Sequence, residues 1–345
     1  ATIVAKLLAK TAEERYQSAD GLAADLRRCR DTLTPEGAIP SFTLGDRDVS
    51  SRFAVPEKLY GRESELDQLL AAFDRARDGG RILLSVTGRS GSGKTALLRE
   101  LQQPVLERGG WFVRGRFDAQ HRDTPHSALI EVGAELVRQL LTRSEDRVAV
   151  WRERMREVVG DSGQVLIDVL PDVELLIGPQ PPAADLPHAE AEIRFNRLAC
   201  AFFRLFAGPR HPLVVQLDDL DLADPASLKL IELLMAEPEL HHLLLVSCFR
   251  ADELTPSHPL SLTLRAVESG PAETERIELG ALAVEQVSTI LADTLGVEDD
   301  AVRSLAATLH DKTLGNPLFV SQYLRTLHAE GLLRFDAEAR AWRWD

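Results

Sequence analysis

The sequence predicts an α/β fold: a parallel sheet of about five strands with helices on both faces, followed by a helical lid. Three observations predict it. The apolar run Arg81-Ile82-Leu83-Leu84-Ser85-Val86 opens through a glycine-rich loop into a helical pattern from Ala96. Two further apolar runs, from Leu213 and from Leu243, end in charged residues, Asp218-Asp219 and Arg250. Amphipathic helical patterns fill the intervals, which is the alternation that builds parallel sheets.

Composition sets the frame. A chain of 345 residues is long enough for two or three domains, and 44% hydrophobic with 27% charged residues is ordinary for a globular protein. No run approaches the 18 apolar residues a membrane helix needs, and the first residues lack the layout of a signal peptide. The chain lacks an initiator Met and stops inside apparent structure, so a fragment of a longer cytoplasmic protein is expected. A net charge of −14 argues against a large nucleic-acid footprint while leaving room for a local basic patch. Cys29, Cys200 and Cys248 sit far apart in apolar patterns and are expected as buried free thiols. The nine histidines are scattered, and none has the spacing of a zinc site.

The glycine loop is Gly88-Arg89-Ser90-Gly91-Ser92-Gly93-Lys94-Thr95, the P-loop pattern G-x-x-x-x-G-K-[ST]. Glycines let successive backbone N–H groups turn inward around phosphate oxygens, and the following helix adds partial positive charge. Lys94 reaches the β- and γ-phosphates, and the Thr95 hydroxyl is placed to ligate Mg²⁺. ATP and Mg²⁺ are therefore the expected cofactors. The second element is Leu213 to Asp219, a short strand delivering two carboxylates at its C-terminal end, where open α/β sheets bind ligands. Asp218 is expected to hold the metal and Asp219 to orient the attacking water. Arg250 ends the next strand. It is a candidate γ-phosphate sensor, although a strand-end arginine is also an ordinary surface residue.

In chain order, residues 1–33 read as two or three helices. Thr11-Ala12-Glu13-Glu14 is a capping box, Ser18 a cap, and Leu22, Leu26, Cys29 and Leu33 share one face. Residues 34–57 read as a linker with Pro35, Gly37, Pro40, Gly45 and Pro56. The α/β core is expected over 58–275, opening with an amphipathic helix whose Leu66, Leu69, Leu70 and Phe73 point inward and which ends at Gly79-Gly80. Trp111 to Gly115 is a strand. Helices follow over Ser127 to Thr142, Asp146 to Val159 and Ala189 to Phe206, the last with Ile193, Leu198, Phe202 and Leu205 as core positions. The lid spans 276–330. Gly315-Asn316-Pro317 breaks its helical pattern, which suits a helix C-cap with a proline start to the next helix. Residues 331–345 begin a hairpin.

Leu7 to Ser18 resembles the last helices of a eukaryotic-like Ser/Thr kinase C-lobe, in which the arginine matched by Arg15 braces the activation segment; a generic helical hairpin is the other reading. The kinase catalytic motifs are absent from the chain. Tyr60-Gly61-Arg62-Glu63, the P-loop, Gly115-Arg116-Phe117-Asp118, Asp218-Asp219-Leu220, Phe249-Arg250 and Gly315-Asn316-Pro317 together resemble the STAND class of signalling ATPases with an Orc1-like AAA domain. Gln164 to Pro171, with Gln180-Pro181-Pro182, resembles large bacterial proteins that join a Ser/Thr kinase, this ATPase, a GAF sensor and a histidine kinase. The resemblance implies those neighbouring domains as partners, allows a nucleotide-dependent oligomer, and puts Tyr60, Gly61, Arg62 and Pro317 near the adenine. Two departures stand out: the family's Gln-Trp after the acid pair is Asp221-Leu222 here, and its Arg-Asp-Asn-Glu is Arg250-Ala251-Asp252-Glu253. The expected function is a slowly hydrolysing ATP switch in a signalling kinase. A DNA-associated ATPase or transcription regulator, and a scaffold that holds ATP without turnover, are the alternatives.

Overall fold

The computed structural model describes residues 2–9, 15–34, 37–45, 48, 53–118, 120, 124–336, 339 and 341–344. In chain order the elements begin with α1 (Thr2–Leu7), α2 (Ala19–Asp31), α3 (Glu63–Arg77), β1 (Arg81–Gly88), α4 (Lys94–Glu107), β2 (Trp111–Arg116), α5 (Ser127–Leu141), α6 (Glu145–Val159), α7 (Gly163–Val169), α8 (Val173–Ile177) and α9 (His188–Phe206). They continue with β3 (Leu213–Asp218), α10 (Pro225–Ala236), β4 (Leu243–Phe249), α11 (Pro259–Glu268), β5 (Glu273–Leu279), α12 (Val284–Leu295), α13 (Asp299–Thr313), α14 (Pro317–Ala329), β6 (Leu333–Asp336) and β7 (Ala341–Trp344). The chain divides into two compact units, residues 62–280 and residues 1–61 with 281–345.

In the first unit β1 to β5 form a five-stranded sheet in the order β2-β3-β4-β1-β5, each neighbouring pair parallel. Strands covered on both faces carry continuous apolar runs, and β4 is buried at every position. The only polar side chains facing each other across β1 and β4, Ser85 and Ser247, hydrogen-bond to one another at 3.2 Å, which removes the penalty of burying two hydroxyls. β5 is the edge strand beyond β1, and its outward residues are charged. Glu273-Thr274-Glu275-Arg276 gives no apolar run, so the sequence did not mark it as a strand. The expected border between core and lid at 275/276 falls inside β5, which pairs with β1 through Leu279.

Helices fill both faces. Trp111 at the start of β2 packs edge-on against Trp151 of α6 and Phe206 of α9, with ring centroids 5.7 and 5.6 Å apart. α9 corrects one expectation. Its core face is Leu198, Ala199, Phe202, Phe203 and Phe206, while Ile193 is 53% exposed. The face of a helix continues inward only where a neighbour covers it, and the first two turns of α9 are largely solvent-facing. α3 ends as expected: the Gly80 N–H reaches back to the Arg75 carbonyl at 2.9 Å, and Gly79 adopts a φ of +113°.

The second unit gathers α12, α13 and α14 around Val287, Leu291, Leu295, Val302, Leu309, Val320 and Leu324. The β6–β7 hairpin is antiparallel, and its Trp342 joins that core. So do Phe53 and Val55. Phe53 stacks on His328 with centroids 4.4 Å apart. The last part of the stretch expected as a linker is thus packed structure, because its two apolar side chains find a partner surface. Ser18 caps α2 by accepting from the Gly21 N–H at 2.9 Å, as expected. The expected apolar face of α2 is not a core: Leu26 and Leu33 are 51% and 54% exposed, and Cys29 is half-buried. The buried side chain there is Asp25, which accepts from the Tyr16 hydroxyl at 2.6 Å and the Gly45 N–H at 2.7 Å. The capping box at Thr11–Glu14, and with it part of the kinase-like stretch, lies outside the described residues.

Candidate functional site

The loop between β1 and α4 is shaped by its glycines. A Cβ at Gly88 would lie 2.8 Å from the Leu279 carbonyl oxygen and 2.6 Å from Ser92 Oγ, so no larger residue fits without a shift. Gly93, at a φ of +98°, has open space where a Cβ would project. In the same loop Arg89 and Ser90 are exposed, and Gly91 adopts a φ of +78°. Lys94 begins α4 and folds back: its Nζ donates to the Gly88 carbonyl at 2.7 Å and the Arg89 carbonyl at 3.2 Å. Ser92 is buried, and its Oγ has no hydrogen-bond partner. A buried hydroxyl left unsatisfied is costly. Here it lies within a loop whose backbone and lysine suit an anion. Thr95 is exposed on the first turn of α4.

The register of the sheet brings the second element to the same end. Thr87 pairs with Phe249 across β1 and β4, Leu217 with Ser247 across β3 and β4, and Asp218 with Arg116 across β3 and β2. The loop, the acid pair and Arg250 therefore all emerge at the C-terminal ends of adjacent strands. Asp218 closes β3. Gln216, two residues earlier and so on the same side of the strand, donates to both of its carboxylate oxygens at 3.1 and 3.0 Å. Asp219 turns the chain with a φ of +54°. Its Oδ2 accepts from Arg116 Nε at 2.9 Å. Burial, first, and then the charge and hydrogen bond of Asp218 push the Cys248 thiol far up, with the Lys94 ammonium acting in the opposite sense. Lys94, Asp218 and Asp219 thus share one electrostatic neighbourhood around that thiol.

These residues fit a magnesium-bound nucleoside triphosphate. The backbone N–H groups of the loop and Lys94 would answer phosphate charge, and the open space at Gly93 would leave room for it. Thr95 and Asp218 would supply one hydroxyl and one carboxylate to the metal, a sparse oxygen set suited to an ion that keeps most of its shell for phosphate and water. Among the described residues, no cluster of three or more His, Cys, Asp or Glu could hold a metal by itself.

The remaining predicted residues have local roles. Arg62 is 6% exposed and donates to Glu65 at 3.1 Å and to the Gly280 carbonyl, pinning the start of α3 beside the end of β5. Tyr60, Gly61 and Pro317 belong to the other unit. The Tyr60 hydroxyl donates to Asp293 at 2.8 Å. Gly61 turns with a φ of +59°, close enough to Gln286 that a Cβ would clash. Pro317 opens α14, where Asn316 Oδ1 accepts from the Leu318 and Phe319 N–H groups at 3.0 and 3.4 Å. Gly315 sits where a Cβ would strike the Leu282 carbonyl.

Arg116, Asp221 and Gln216 had no assigned role in the sequence. Asp221, which stands where the resemblance leads to Gln, is buried and accepts from Arg250 Nη2 at 3.2 Å. Arg116 carried a signal in its Gly-Arg-Phe-Asp setting, but its partner depends on strand order.

The chain is 28% identical over 99% of its length to hybrid signal transduction histidine kinase G of Dictyostelium discoideum, of which it covers 12%. It is 19% identical over 99% of its length to the peroxide stress-activated histidine kinase mak3 of Schizosaccharomyces pombe, of which it covers 18%. The chain therefore spans under a fifth of either relative. Among solved structures, Cdc6p from Pyrobaculum aerophilum aligns with a TM-score of 0.46 at 17% identity, over 81% of this chain and 65% of that one. The STAND protein with a tetratricopeptide repeat sensor from Pyrococcus horikoshii aligns at 0.39 and 12% identity, over 78% and 30%. Residues 58–246 match the family model described as AAA ATPase domain, and the chain belongs to that family.

Proposed function

We propose that this chain is an ATP-binding switch module of a multidomain signalling kinase, hydrolysing ATP slowly and passing its nucleotide state to neighbouring domains. The observation that carries the nucleotide reading is the loop itself: an orphaned Ser92 hydroxyl and a Lys94 ammonium folded onto the carbonyls of Gly88 and Arg89, at the strand ends that also bear Asp218 and Asp219. Bound Mg-ATP supplies a γ-phosphoryl group open to attack by water. Lys94 exchanges loop carbonyls for phosphate oxygens. Asp218, oriented by Gln216, takes its share of the metal, and Asp219 orients the water once Arg116 releases it. A switch follows if ATP and ADP favour different conformations with different affinity.

The signalling context draws support from the histidine kinase relatives and is an inference about the whole protein. Residues 1–33 are read within it as the end of a kinase C-lobe, in which the Arg15 guanidinium donates to the Ala9 carbonyl at 2.8 Å. Calorimetric titration with Mg-ATP tests the nucleotide reading. Lys94→Ala is expected to weaken binding by at least about tenfold, the worth of one charge-assisted contact. Equal affinity in both proteins would overturn it.

A further inference from the structure

Asp221 is a buried carboxylate that the ATPase reading leaves without a task. It lies one residue beyond the Asp219-Leu220 turn, with its side chain 3% exposed. Its Oδ2 accepts from Arg250 Nη2 at 3.2 Å, and its Oδ1 has no hydrogen-bond partner. A carboxylate this deep with one oxygen unsatisfied is held at a cost, which the neighbouring guanidinium partly offsets.

Arg250 is in turn a special arginine. It follows Phe249, which pairs with Thr87, the residue before Gly88. The backbone of Arg250 therefore leaves the strand end beside the first glycine of the loop, and its side chain is one-third exposed. The contact with Asp221 uses one edge of a planar, five-donor group. An arginine on a flexible stem loses orientational freedom when it binds an anion. One already held by a buried carboxylate loses less.

We propose that Asp221 is a positioning residue. By holding Arg250 at the head of the loop, it sets how strongly this chain prefers a nucleoside triphosphate to a diphosphate. The idea rests on the nucleotide reading above and adds to it the source of discrimination. Arg250 acts on the γ-phosphate, which only the triphosphate has, so Asp221 bears on ATP and leaves ADP alone. The pair is intramolecular and largely buried, so its hold on Arg250 is weakly screened by salt.

The test is calorimetric titration of the full chain with ADP and with a non-hydrolysable ATP analogue. The variants are Asp221→Asn, Arg250→Gln, both together, and Lys94→Ala. Asp221→Asn is nearly isosteric, and binding of ADP reports that it is folded. Each single variant is expected to lower the triphosphate-to-diphosphate affinity ratio by about tenfold with ADP affinity unchanged. The double variant should be no worse than either, since the two residues act as one unit. An unchanged ratio in Asp221→Asn beside a lowered ratio in Arg250→Gln would overturn the role of Asp221. Equal losses for both nucleotides in Asp221→Asn would mean that the pair is only structural, and would overturn it too. If Lys94→Ala binds both nucleotides like the unaltered chain, the nucleotide reading itself falls and this inference with it.

Discussion

The Arg116 guanidinium holds the Asp219 carboxylate, Nε to Oδ2 at 2.9 Å, across the neighbouring ends of β2 and β3. In the proposed function Asp219 orients the attacking water, and this pair would hold it away from that task. Arg116 is 73% exposed and Asp219 31%, so the pair contributes little stability, about 0.2–1 kcal/mol at most. Arg116→Ala is therefore expected to raise phosphate release from Mg-ATP several-fold with little change in Tm. Turnover at or below that of the unaltered chain would show that the pair does not restrain Asp219.

The two adjacent acids should separate by kinetics. Asp219→Asn is expected to keep ATP affinity while slowing single-turnover hydrolysis by about 10²-fold or more, the scale of losing a positioned base. Asp218→Asn should instead remove the Mg²⁺ dependence of ATP binding. Asn at 218 still accepts from Gln216, so the fold should tolerate it. Equal and mild effects from both changes would mean that the roles are misassigned.

Two glycines in one loop should fail differently. At Gly88 a methyl group would meet the Leu279 carbonyl at 2.8 Å, so Gly88→Ala is expected to lower stability by about 1–3 kcal/mol. Gly93 has open space at the same atom, so Gly93→Ala carries only the backbone cost of a positive φ, about 1 kcal/mol. Its larger effect should be on ATP affinity, because the methyl group enters the opening assigned to phosphate. Thermal melts and titrations of both variants check this, and matching losses in both readouts would contradict it.

His126 gives the stability a pH dependence. It caps α5 with a φ of +61°, lies buried with its ring 4.8 Å from Phe195, and its Nδ1 has no partner. Burial lowers its pKa from the usual 6.5, partly offset by Asp224 and Glu192. The unfolded chain then takes up the proton first. Stability is full above about pH 6.5, falls as pH drops through that value, and stops falling below the folded pKa. His126→Asn tolerates the positive φ and does not titrate. Between pH 7.5 and 5.5 the Tm of the unaltered chain should drop more than that of His126→Asn. Parallel curves would remove His126 as the cause.

The sequence by itself determined what is local. The P-loop, the strand before it and the helix after it are contiguous, so glycine spacing and an apolar run were enough to read them. The acid pair closing β3, the Ser18 cap and the proline start of α14 were legible for the same reason: each is decided by residues within a few positions of one another. Tertiary structure alone decided who faces whom. β5 could not be read, because an edge strand needs no apolar run and is a strand only by pairing with β1. Phe53 looked like linker until the surface around His328 and Trp342 gave it somewhere to pack. Arg116 and Asp219 lie 103 positions apart, and Arg250 and Asp221 lie 29 apart. They meet because the sheet runs β2-β3-β4-β1-β5, an order set by the summed packing of every helix against every strand. Backbone conformation and phosphate chemistry follow from neighbouring residues, whereas the pairing of charges follows from the order in which distant strands close the sheet.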